Sequence, residues 1–574
     1  MNLFLDYQKK IFNKLKKLEK KKLIKIPSKL YLTVELPPKN QNADISCNAA
    51  MILAKTNNNS PIELAVILKK HLSLNFKEFK SVEIAGPGFL NISFYISFWE
   101  KYLKKVIKLD SKYGSIKNSK KKYNIEFVSA NPTGPLHVGH CRGAILGDTI
   151  SNLLIFSGNK VTKEYYVNDY GSQIKNFVTS VYYRILEIIK NEPFPIDKNL
   201  YPGDYIIDIA KKIIGDDCIK NFDNFEKIKN KLSLESLKYS IQLIVSNLNL
   251  LGVKHDSFVY ESKLIDKKMV SKIVKKLKSK NYIYKGKLEA PKGQQTNDWQ
   301  RQNLLLFKST EFGDDSDRPL QKADGSWTYF AGDLAYHAHK ISRKFDILIN
   351  ILGADHAGYT KRITSATKAI SDNKVNLICK VSQLVKLFKN GEPFKMSKRK
   401  GDYITVEDLI KEVGKDSARF MMLSRSNDVE LDFDYKKVTE KSKDNPIFYV
   451  QYAYARVNSI FRLLKLNLKS KIKFDNKKFT LNRYEIEILK KISEWPKCVQ
   501  LSSVKLEPHR IPFYLYELVS LFHSYWNLGN DNKEFRFVSE NGKQNNSRLI
   551  LLQALSIVIK NGMSILGVST PSRM

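Results

Sequence analysis

Residues 131–148 read NPTGPLHVGHCRGAILGD and place two histidines, His137 and His140, three positions apart among glycines and prolines. The residues before this stretch, NIEFVSA, alternate apolar and polar side chains as a β-strand does. After it, apolar residues repeat at the spacing of an α-helix. The stretch therefore predicts a loop that leads from a strand into a helix, with both histidines at or just inside the helix N-terminus.

A helix N-terminus of this kind favours anions, because free backbone N–H groups and the positive end of the helix dipole point out of it. Gly134, Gly139 and Gly143 allow a ligand to approach the backbone, and the histidines add donors for phosphate oxygens. The GxxxxGK[ST] sequence of a Walker-type loop is absent. A zinc pair would need further ligands that the adjacent residues do not supply. The stretch thus indicates a phosphate site in place of a metal site.

The chain of 574 residues is long enough for roughly three or four domains, and its hydrophobic content of 43% is typical of a globular protein. It carries 97 Lys and Arg residues against 58 Asp and Glu residues, a formal net charge of +39. This charge favours a polyanionic partner, either nucleic acid or a membrane surface. Only 16 of the basic residues are arginine, so a lysine-biased composition is an alternative explanation.

The five cysteines form no CxxC pair, which argues against a disulfide framework and a cysteine zinc site and suits a reducing cytoplasm. No apolar run approaches the roughly 18 residues needed to cross a bilayer. The longest, residues 549–559, is interrupted by Gln553 and Ser556 and predicts a core helix. The N-terminal residues lack the apolar core of a signal peptide and predict an amphipathic surface helix, with a membrane anchor as the alternative.

The organisation along the chain predicts an α/β protein of several parts. Residues 1–115 mix helical and strand patterns, and the lysine-rich stretch 117–124 indicates a boundary. Residues 116–440 alternate short apolar runs with helical ones, the pattern of a parallel sheet. A basic, helical insertion without evident strand alternation is predicted at about 195–295. Residues 441–574 show long helical periodicity and predict an all-α domain.

A second stretch, FKMSKRKGDYITVEDLI at 394–410, has the composition of an anion-binding loop. Four basic residues crowd its first half: Lys395, Lys398, Arg399 and Lys400. Thr405 and Asp408 then have the spacing of a capping box that opens the next helix. Alone, this stretch is equally well interpreted as a solvated basic loop. Its presence in the same chain as the histidine loop favours the phosphate-binding interpretation.

HVGH at 137–140 and KMSKR at 395–399 resemble the two signatures of class I aminoacyl-tRNA synthetases, and EFVSANPTGPLHVGH resembles the arginyl-tRNA synthetase form. The resemblance extends over nearly the whole chain through ordered further matches. These are EIAGPGFLNI (83–92), YYVNDYGSQI (165–174), WTYFAGDLAYH (327–337), LGADHAGY (352–359), DNPIFYVQYAYAR (444–456) and LGVSTPSRM (566–574). One departure is NAD at 42–44, where the family usually has Gly before the Asp.

The resemblance implies a Rossmann-like catalytic domain with a helical insertion, an N-terminal α+β domain that contacts tRNA, and an all-α anticodon-binding domain. It also implies that the chain activates L-arginine with ATP to arginyl-adenylate. The arginyl group then passes to the 3′-terminal adenosine of tRNA(Arg), with release of AMP and pyrophosphate. Mg²⁺ is expected with ATP, without an assigned protein ligand, and zinc is not expected. The implied protein is a cytoplasmic monomer that binds no membrane and needs bound tRNA before it activates arginine.

Matching positions assign three groups of site residues. The catalytic residues are His137, His140, Lys395 and Lys398. The ATP-binding residues are Pro135, His137, Gly139, His140, Lys395, Met396, Ser397 and Lys398. The arginine-binding residues are Glu126, Asn131, His140, Tyr329, Asp333 and Asp355, with His356 beside them. No metal ligand is assigned.

Two alternatives remain open at this point. Another class I nucleotidyltransferase would use the same histidine loop but would not need the helical C-terminal domain. A non-catalytic tRNA-binding paralogue would be expected to have lost His140 or Lys398, and both are present. Exchange of pyrophosphate into ATP with a panel of amino acids distinguishes all three.

Overall fold

A computed structural model of the protein describes residues 1–38, 40–116, 120–266, 268–287, 303–394, 404–474, 479–538 and 545–574. The predicted site residues Lys395, Met396, Ser397 and Lys398 lie outside the described residues. Contacts divide the chain into two compact units. One unit is Met1–Asn118 together with Lys441–Met574, and the other is Ser119–Glu440.

The N-terminal part of the first unit is an α+β structure, as predicted. Its elements are α1 (Leu3–Lys20), β1 (Val34–Glu35), β2 (Ile45–Cys47), α2 (Ala49–Ala54), α3 (Pro61–Asn75), β3 (Phe79–Ala85), β4 (Phe89–Phe94) and α4 (Ile96–Leu109). The strands form an antiparallel sheet in the order β1-β2-β4-β3. Helix α1 is the predicted amphipathic helix, because it buries one face with Phe4, Tyr7, Ile11, Leu15 and Leu18 and exposes its lysines.

The second unit contains the predicted parallel sheet. Its helices are α5 (Val138–Phe156), α6 (Ser172–Lys190), α7 (Asp204–Gly215), α8 (Phe225–Leu250), α9 (Glu261–Asp266), α10 (Met269–Ser279), α11 (Tyr329–Ser342), α12 (Thr360–Ser371), α13 (Val406–Val413), α14 (Lys415–Met422) and α15 (Tyr435–Thr439). Its strands are β5 (Lys122–Glu126), β6 (Lys160–Val167), β7 (Ser257–Tyr260), β8 (Ile283–Gly286), β9 (Leu304–Phe307), β10 (Arg318–Pro319), β11 (Ile347–Gly353), β12 (Asn376–Ser382), β13 (Val385–Lys389), β14 (Glu392–Pro393) and β15 (Leu431–Asp434).

Five of these strands form the central sheet in the order β12-β11-β5-β6-β7, and all neighbours in it are parallel. Two smaller sheets have the orders β10-β9-β8 and β14-β13-β15. Helix α5 approaches the sheet closely at Gly147, where a Cβ atom would lie 2.3 Å from Cγ of Phe127. Because the loop that leads into α5 follows the carboxyl end of β5, this loop and the start of α5 lie at the carboxyl edge of the sheet. Open α/β sheets bind ligands at this edge.

The range about 195–295, predicted as a helical insertion, contains both helices and strands. Helices α7 and α8 pack with α6 around a buried apolar cluster that includes Phe177, Ile209 and Leu232. Strand β7 pairs in parallel with β6 and so belongs to the central sheet. The range is therefore not wholly helical: β7 and β8 gave no evident alternation in the sequence because each has only four residues. The bounds of the insertion stay a prediction.

The C-terminal part of the first unit is all-α, as predicted, with α16 (Pro446–Leu463), α17 (Arg483–Lys505), α18 (Arg510–Asp531) and α19 (Asn546–Leu566). Helix α19 is long and apolar enough to cross a membrane, but 83% of its apolar window is buried inside the protein, as a core helix requires. The two terminal parts share contacts: Trp495 Nε1 donates to the Tyr113 carbonyl at 3.0 Å. The finer division into three domains stays a prediction.

Candidate active site

The histidine loop has the predicted local structure. His137 is the N-cap of α5, which begins at Val138. The backbone N–H of Gly139 donates to Nδ1 of His137 at 3.1 Å, and that of His137 donates to Nδ1 of His140 at 3.3 Å. The two imidazole rings lie 4.0 Å apart between centroids. The pair thus replaces the usual capping side chains at the helix N-terminus.

These hydrogen bonds decide where each imidazole carries its proton. Because both Nδ1 atoms accept from backbone N–H groups, the proton of each neutral ring is on Nε2. Burial lowers the pKa of His137, and burial together with His137 lowers the pKa of His140 to about 4. Both rings are therefore neutral near pH 7, with the remaining proton of each on Nε2.

The glycines of the loop serve different purposes. A Cβ atom on Gly139 would lie 2.8 Å from Cε1 of His137, so the close approach of that ring requires glycine. A Cβ atom on Gly134 would lie 3.1 Å from the ring of Tyr205, whose hydroxyl donates to the carbonyl of Thr133 at 2.8 Å. Among the described residues, nothing lies within 4 Å of such an atom on Gly143, in the second turn of α5.

The start of α5 is hydrogen-bonded to the residues that follow the KMSKR stretch. The Val138 N–H donates to the Ile404 carbonyl and the Val406 N–H donates to the Leu136 carbonyl, both at 2.9 Å. Thr405 caps α13 as predicted: its Oγ1 accepts from the N–H of Asp408 at 3.1 Å, and Oδ2 of Asp408 accepts from the Thr405 N–H at 3.2 Å. The described residues that follow the KMSKR stretch, from Ile404 onward, therefore lie beside the histidine loop.

Three carboxylates gather at the carboxyl edge of the sheet. Glu126 ends β5, Glu261 opens α9 directly after β7, and Asp333 lies in the second turn of α11. Burial, with the charges of Glu126 and Glu261, raises the pKa of Asp333 to about 7, against the hydrogen bond that Tyr359 donates to it. Burial and Asp169 raise the pKa of Glu261 to about 6. Raised pKa values of this kind describe buried carboxylates whose negative charge is only partly balanced.

One ammonium group lies against this cluster. Lys340 Nζ is 2.5 Å from Oε2 of Glu126 and balances one of the three carboxylates. The site therefore retains negative charge that a ligand cation can neutralise. A planar guanidinium pairs with carboxylates through two parallel hydrogen bonds, which an ammonium cannot do.

The backbone beside Glu126 is held in an uncommon conformation. Val128 and Ser129 have φ values of 70° and 43°, a left-handed region that costs a β-branched residue free energy. Ser129 Oγ donates to Oε1 of Glu126 at 3.1 Å and accepts from the N–H of Tyr166 at 3.1 Å. These contacts offset the strain and fix the carboxylate of Glu126 from one side.

The remaining predicted arginine residues are more exposed. Asn131 donates through Nδ2 to Gln173 at 2.6 Å on the surface. Tyr329 is the first residue of α11, four before Asp333 as helical spacing requires, but is 76% exposed. Asp355 and His356 form an exposed pair at 3.3 Å after β11, and the charge of Asp355 acts to raise the pKa of His140. Their roles stay predictions.

Three residues of this site were not predicted from the sequence. They are Glu261 of the acidic cluster, Lys340, which pairs with Glu126, and Tyr359, which donates a hydrogen bond to Asp333. Glu261 and Tyr359 follow β7 and β11 at the same sheet edge as Glu126. A correct assignment of those strands would have indicated both, since ligand groups cluster at that edge. Lys340 is seven residues after Asp333, two helical turns along one face of α11, a spacing visible in the sequence.

The described residues include one group of three side chains able to hold a metal ion, namely Asp216, Cys218 and Glu235. Lys238 Nζ lies 3.5 Å from the carboxylate of Asp216 and 2.8 Å from that of Glu235. An ammonium thus already pairs with both carboxylates. The group is a salt-bridged surface apart from the histidine loop.

Comparison with known proteins gives matches along the whole chain. The family model for the catalytic domain of class I (R) tRNA synthetases matches residues 102–461. The models for the arginyl-tRNA synthetase N-terminal domain and the DALR anticodon binding domain match residues 6–94 and 450–574.

Individual relatives agree with the family models. The arginine–tRNA ligase of Pelagibacter ubique is 55% identical, and that of a Wolbachia species from Brugia malayi is 43% identical, each match covering 100% of both chains. The solved arginyl-tRNA synthetase of Thermus thermophilus superposes with a TM-score of 0.71 at 18% identity, covering 100% of both chains, and so shows the same fold.

Proposed function

The chain belongs to the class I arginyl-tRNA synthetase family, and from that membership we infer that it activates L-arginine with ATP and transfers it to tRNA(Arg). The observation that carries this function is the acidic cluster of Glu126, Glu261 and Asp333 in the same unit as the paired histidines of α5. The cluster suits a cationic side chain, and the histidines suit phosphate oxygens.

In the first step, a carboxylate oxygen of arginine attacks the α-phosphorus of ATP. The bond from that phosphorus to the bridging oxygen breaks, and pyrophosphate leaves. Negative charge grows on the phosphate oxygens during this step, so catalysis depends on positioned donors. His137 and His140 supply Nε2–H donors fixed by the helix cap. No side chain is required as a nucleophile.

We assign the rest of the ATP site to Pro135, Gly139 and the KMSKR stretch. Lys395 and Lys398, with Met396 and Ser397, are proposed to neutralise the departing pyrophosphate. The support for this assignment is the hydrogen bond between Val138, at the start of α5, and Ile404, which comes five residues after Arg399 at the end of the stretch. Mg²⁺ enters with ATP as part of the substrate, and no residue is assigned to it.

Arginine is proposed to place its guanidinium between Glu126 and Asp333. The raised pKa of Asp333 supports this placement, because a bound guanidinium would supply the positive charge that the carboxyl lacks. Asn131, His140, Tyr329 and Asp355 are proposed to hold the α-amino and carboxylate ends of the substrate.

In the second step, a ribose hydroxyl of the terminal adenosine of tRNA attacks the arginyl carbonyl, and AMP leaves. The N-terminal α+β part and the C-terminal helices are proposed to bind the tRNA, in keeping with the anticodon binding domain model matched at 450–574. A monomer in the cytoplasm, without membrane attachment, completes the proposal.

Exchange of labelled pyrophosphate into ATP, with tRNA present and each of the twenty amino acids in turn, tests this function. Arginine alone is expected to support exchange above background. Exchange with a different amino acid would contradict the assigned specificity. Absence of exchange with every amino acid would support a non-catalytic tRNA-binding paralogue.

A further inference from the structure

Lys340 is buried behind the acidic cluster and contacts it directly. Its side chain has 0% exposure, and Nζ lies 2.5 Å from Oε2 of Glu126 and 2.9 Å from Oδ1 of Asn350. The ammonium also lies 4.4 Å from the ring centroid of Tyr336. A fully buried ammonium needs such partners, because its desolvation is otherwise too costly.

A chain of hydrogen bonds continues from Lys340 to Asp333. Since Oδ1 of Asn350 accepts from Lys340, its Nδ2 faces Nε2 of His337, at 3.1 Å. Burial and Lys340 lower the pKa of His337 to about 3, so the ring is neutral. Nε2 therefore accepts from Asn350, and Nδ1–H donates to the carbonyl of Asp333 at 2.9 Å.

Only the Glu126 side of the ion pair between Glu126 and Lys340 is exposed to solvent. In this respect the pair differs from a purely structural one. The Glu126 side chain is 14% exposed, whereas the ammonium behind it is not exposed at all. Each oxygen of Glu126 has one described partner, Ser129 on Oε1 and Lys340 on Oε2. A carboxylate oxygen accepts two hydrogen bonds, so acceptor capacity remains on the exposed side.

We propose that Lys340 is a positioning residue for arginine recognition: it aims the carboxylate of Glu126 and, through Asn350 and His337, holds the helical turn that carries Asp333. This inference rests on the proposed function, in which both carboxylates bind the guanidinium. The pocket then has one internal cation, Lys340, and takes its second cation from the substrate.

The positive charge of Lys340 acts on the carboxyl group of Asp333 as well as on that of Glu126. The charged and titratable groups that face these side chains are Glu164 and Tyr166 of β6, Glu261 of α9, Tyr336 and His337 of α11, Tyr359 before α12, and Cys379 of β12. Arg343 pairs with both oxygens of Glu164, at 2.5 and 2.8 Å, and so balances that carboxylate.

Lys340 opposes the burial that raises the pKa of Asp333, so its removal should raise that pKa further. The ionised form of Asp333 is the one that binds a guanidinium. The pH at which arginine binding is half lost should therefore move upward when the ammonium is removed.

The substitution Lys340→Met tests the inference with tRNA and ATP present. We expect the KM for arginine to rise about ten-fold or more, because a positioned charge-assisted contact is lost. The pH dependence of that KM should also move to higher pH. The KM for ATP should stay within two-fold. Lys344→Met, at an exposed lysine just after α11, is the control and should match the wild type.

An unchanged arginine KM and pH profile in Lys340→Met would overturn the inference, as would an equal rise in the KM for ATP. If the wild type shows no arginine-dependent reaction, the proposed function itself is contradicted. This result is obtained before any substitution is made, so it is distinguishable from failure of the positioning role of Lys340.

A double substitution covers the case in which Lys340→Met alone does not fold. Glu126→Gln with Lys340→Met removes both charges and leaves no buried ion without a partner, which costs far less than removing one. At a pH where Asp333 is ionised, the double variant should keep its arginine KM within ten-fold of that of Glu126→Gln alone, because Lys340 then has no Glu126 carboxylate to aim. Its effect on Asp333 should remain visible as a pH dependence displaced to higher pH. A further ten-fold loss on top of Glu126→Gln would contradict the positioning role.

Discussion

The backbone N–H of Val138 donates a hydrogen bond of 2.9 Å to the carbonyl of Ile404. Val138 is the first residue of α5, whose N-terminus carries the paired histidines, and Ile404 comes five residues after Arg399, the last residue of the KMSKR stretch. This contact is made by backbone atoms, so it holds Ile404 beside the start of α5 whatever side chains the two positions carry.

His137 has two separable roles, as N-cap of α5 and as a donor through Nε2. In His137→Asn the amide oxygen can still cap the helix, but no donor reaches the position of Nε2. We expect an unchanged melting temperature and a fall in adenylate formation of about 10²–10³-fold. His137→Ala should lose the same activity and also about 1 kcal/mol of stability. Thermal unfolding and pyrophosphate exchange measure the two effects, and full activity in His137→Asn would remove the donor role.

Lys398 is assigned to the departing pyrophosphate through the family resemblance. Lys398→Ala should reduce adenylate formation by about two to three orders of magnitude, as loss of one positioned donor typically does. Lys400→Ala, in the same stretch but without an assigned role, is the matched control. Single-turnover formation of arginyl-adenylate with tRNA present measures both variants. Equal rates for Lys398→Ala and the control would show the assignment to be wrong.

Asp333→Asn keeps the shape of the side chain and removes its charge. Losing a charge-assisted contact to a guanidinium should cost about 1.5–3 kcal/mol in arginine recognition. The KM for ATP should change little, because the histidine loop does not involve this residue. Asp324→Asn, on an exposed turn, is the control, since the amide can keep the hydrogen bond to Ser326. A similar loss for both substrates would place Asp333 elsewhere in the site.

The pKa of Asp333 predicts a pH dependence of arginine binding. Burial raises this pKa to about 7, so the carboxyl is protonated below that pH and ionised above it in the unliganded protein. The ionised form binds the guanidinium, so the KM for arginine should fall as pH rises from 6 to 8. Calorimetry near pH 7 in buffers of different ionisation enthalpy should detect release of protons when arginine binds. Asp333→Asn should lose most of both effects, and a flat profile in the wild type would contradict the pairing.

Features set by local chemistry were predictable from the sequence. The start of α5 at the histidines and the Thr405–Asp408 cap follow from residues within four positions of one another. The strand β7 was missed because four residues are too few to reveal a period. Helical spacing also placed Tyr329 and Asp333 correctly on α11 but did not reveal that Tyr329 is exposed, because spacing does not define which side of a helix faces the pocket.

The ion pair of Lys340 with Glu126 was beyond the reach of the sequence for a different reason. The two residues come from α11 and β5, and their contact depends on how the helix packs on the sheet. Lysines are abundant in this chain, and nothing in the composition distinguishes the buried one. Glu126 and Asp333 could thus be predicted, whereas Glu261 and the internal counter-ion Lys340 required the structure.

The charging of tRNA with arginine, citrulline and lysine tests the central claim most directly. Citrulline has the shape of arginine but carries a neutral urea group, and lysine carries a charge without the planar fork. If the carboxylates of Glu126 and Asp333 recognise a guanidinium, kcat/KM for arginine should exceed that for either analogue by about 10⁴-fold or more, because both leave buried polar groups unpaired. Charging with citrulline within ten-fold of arginine would contradict recognition by charge.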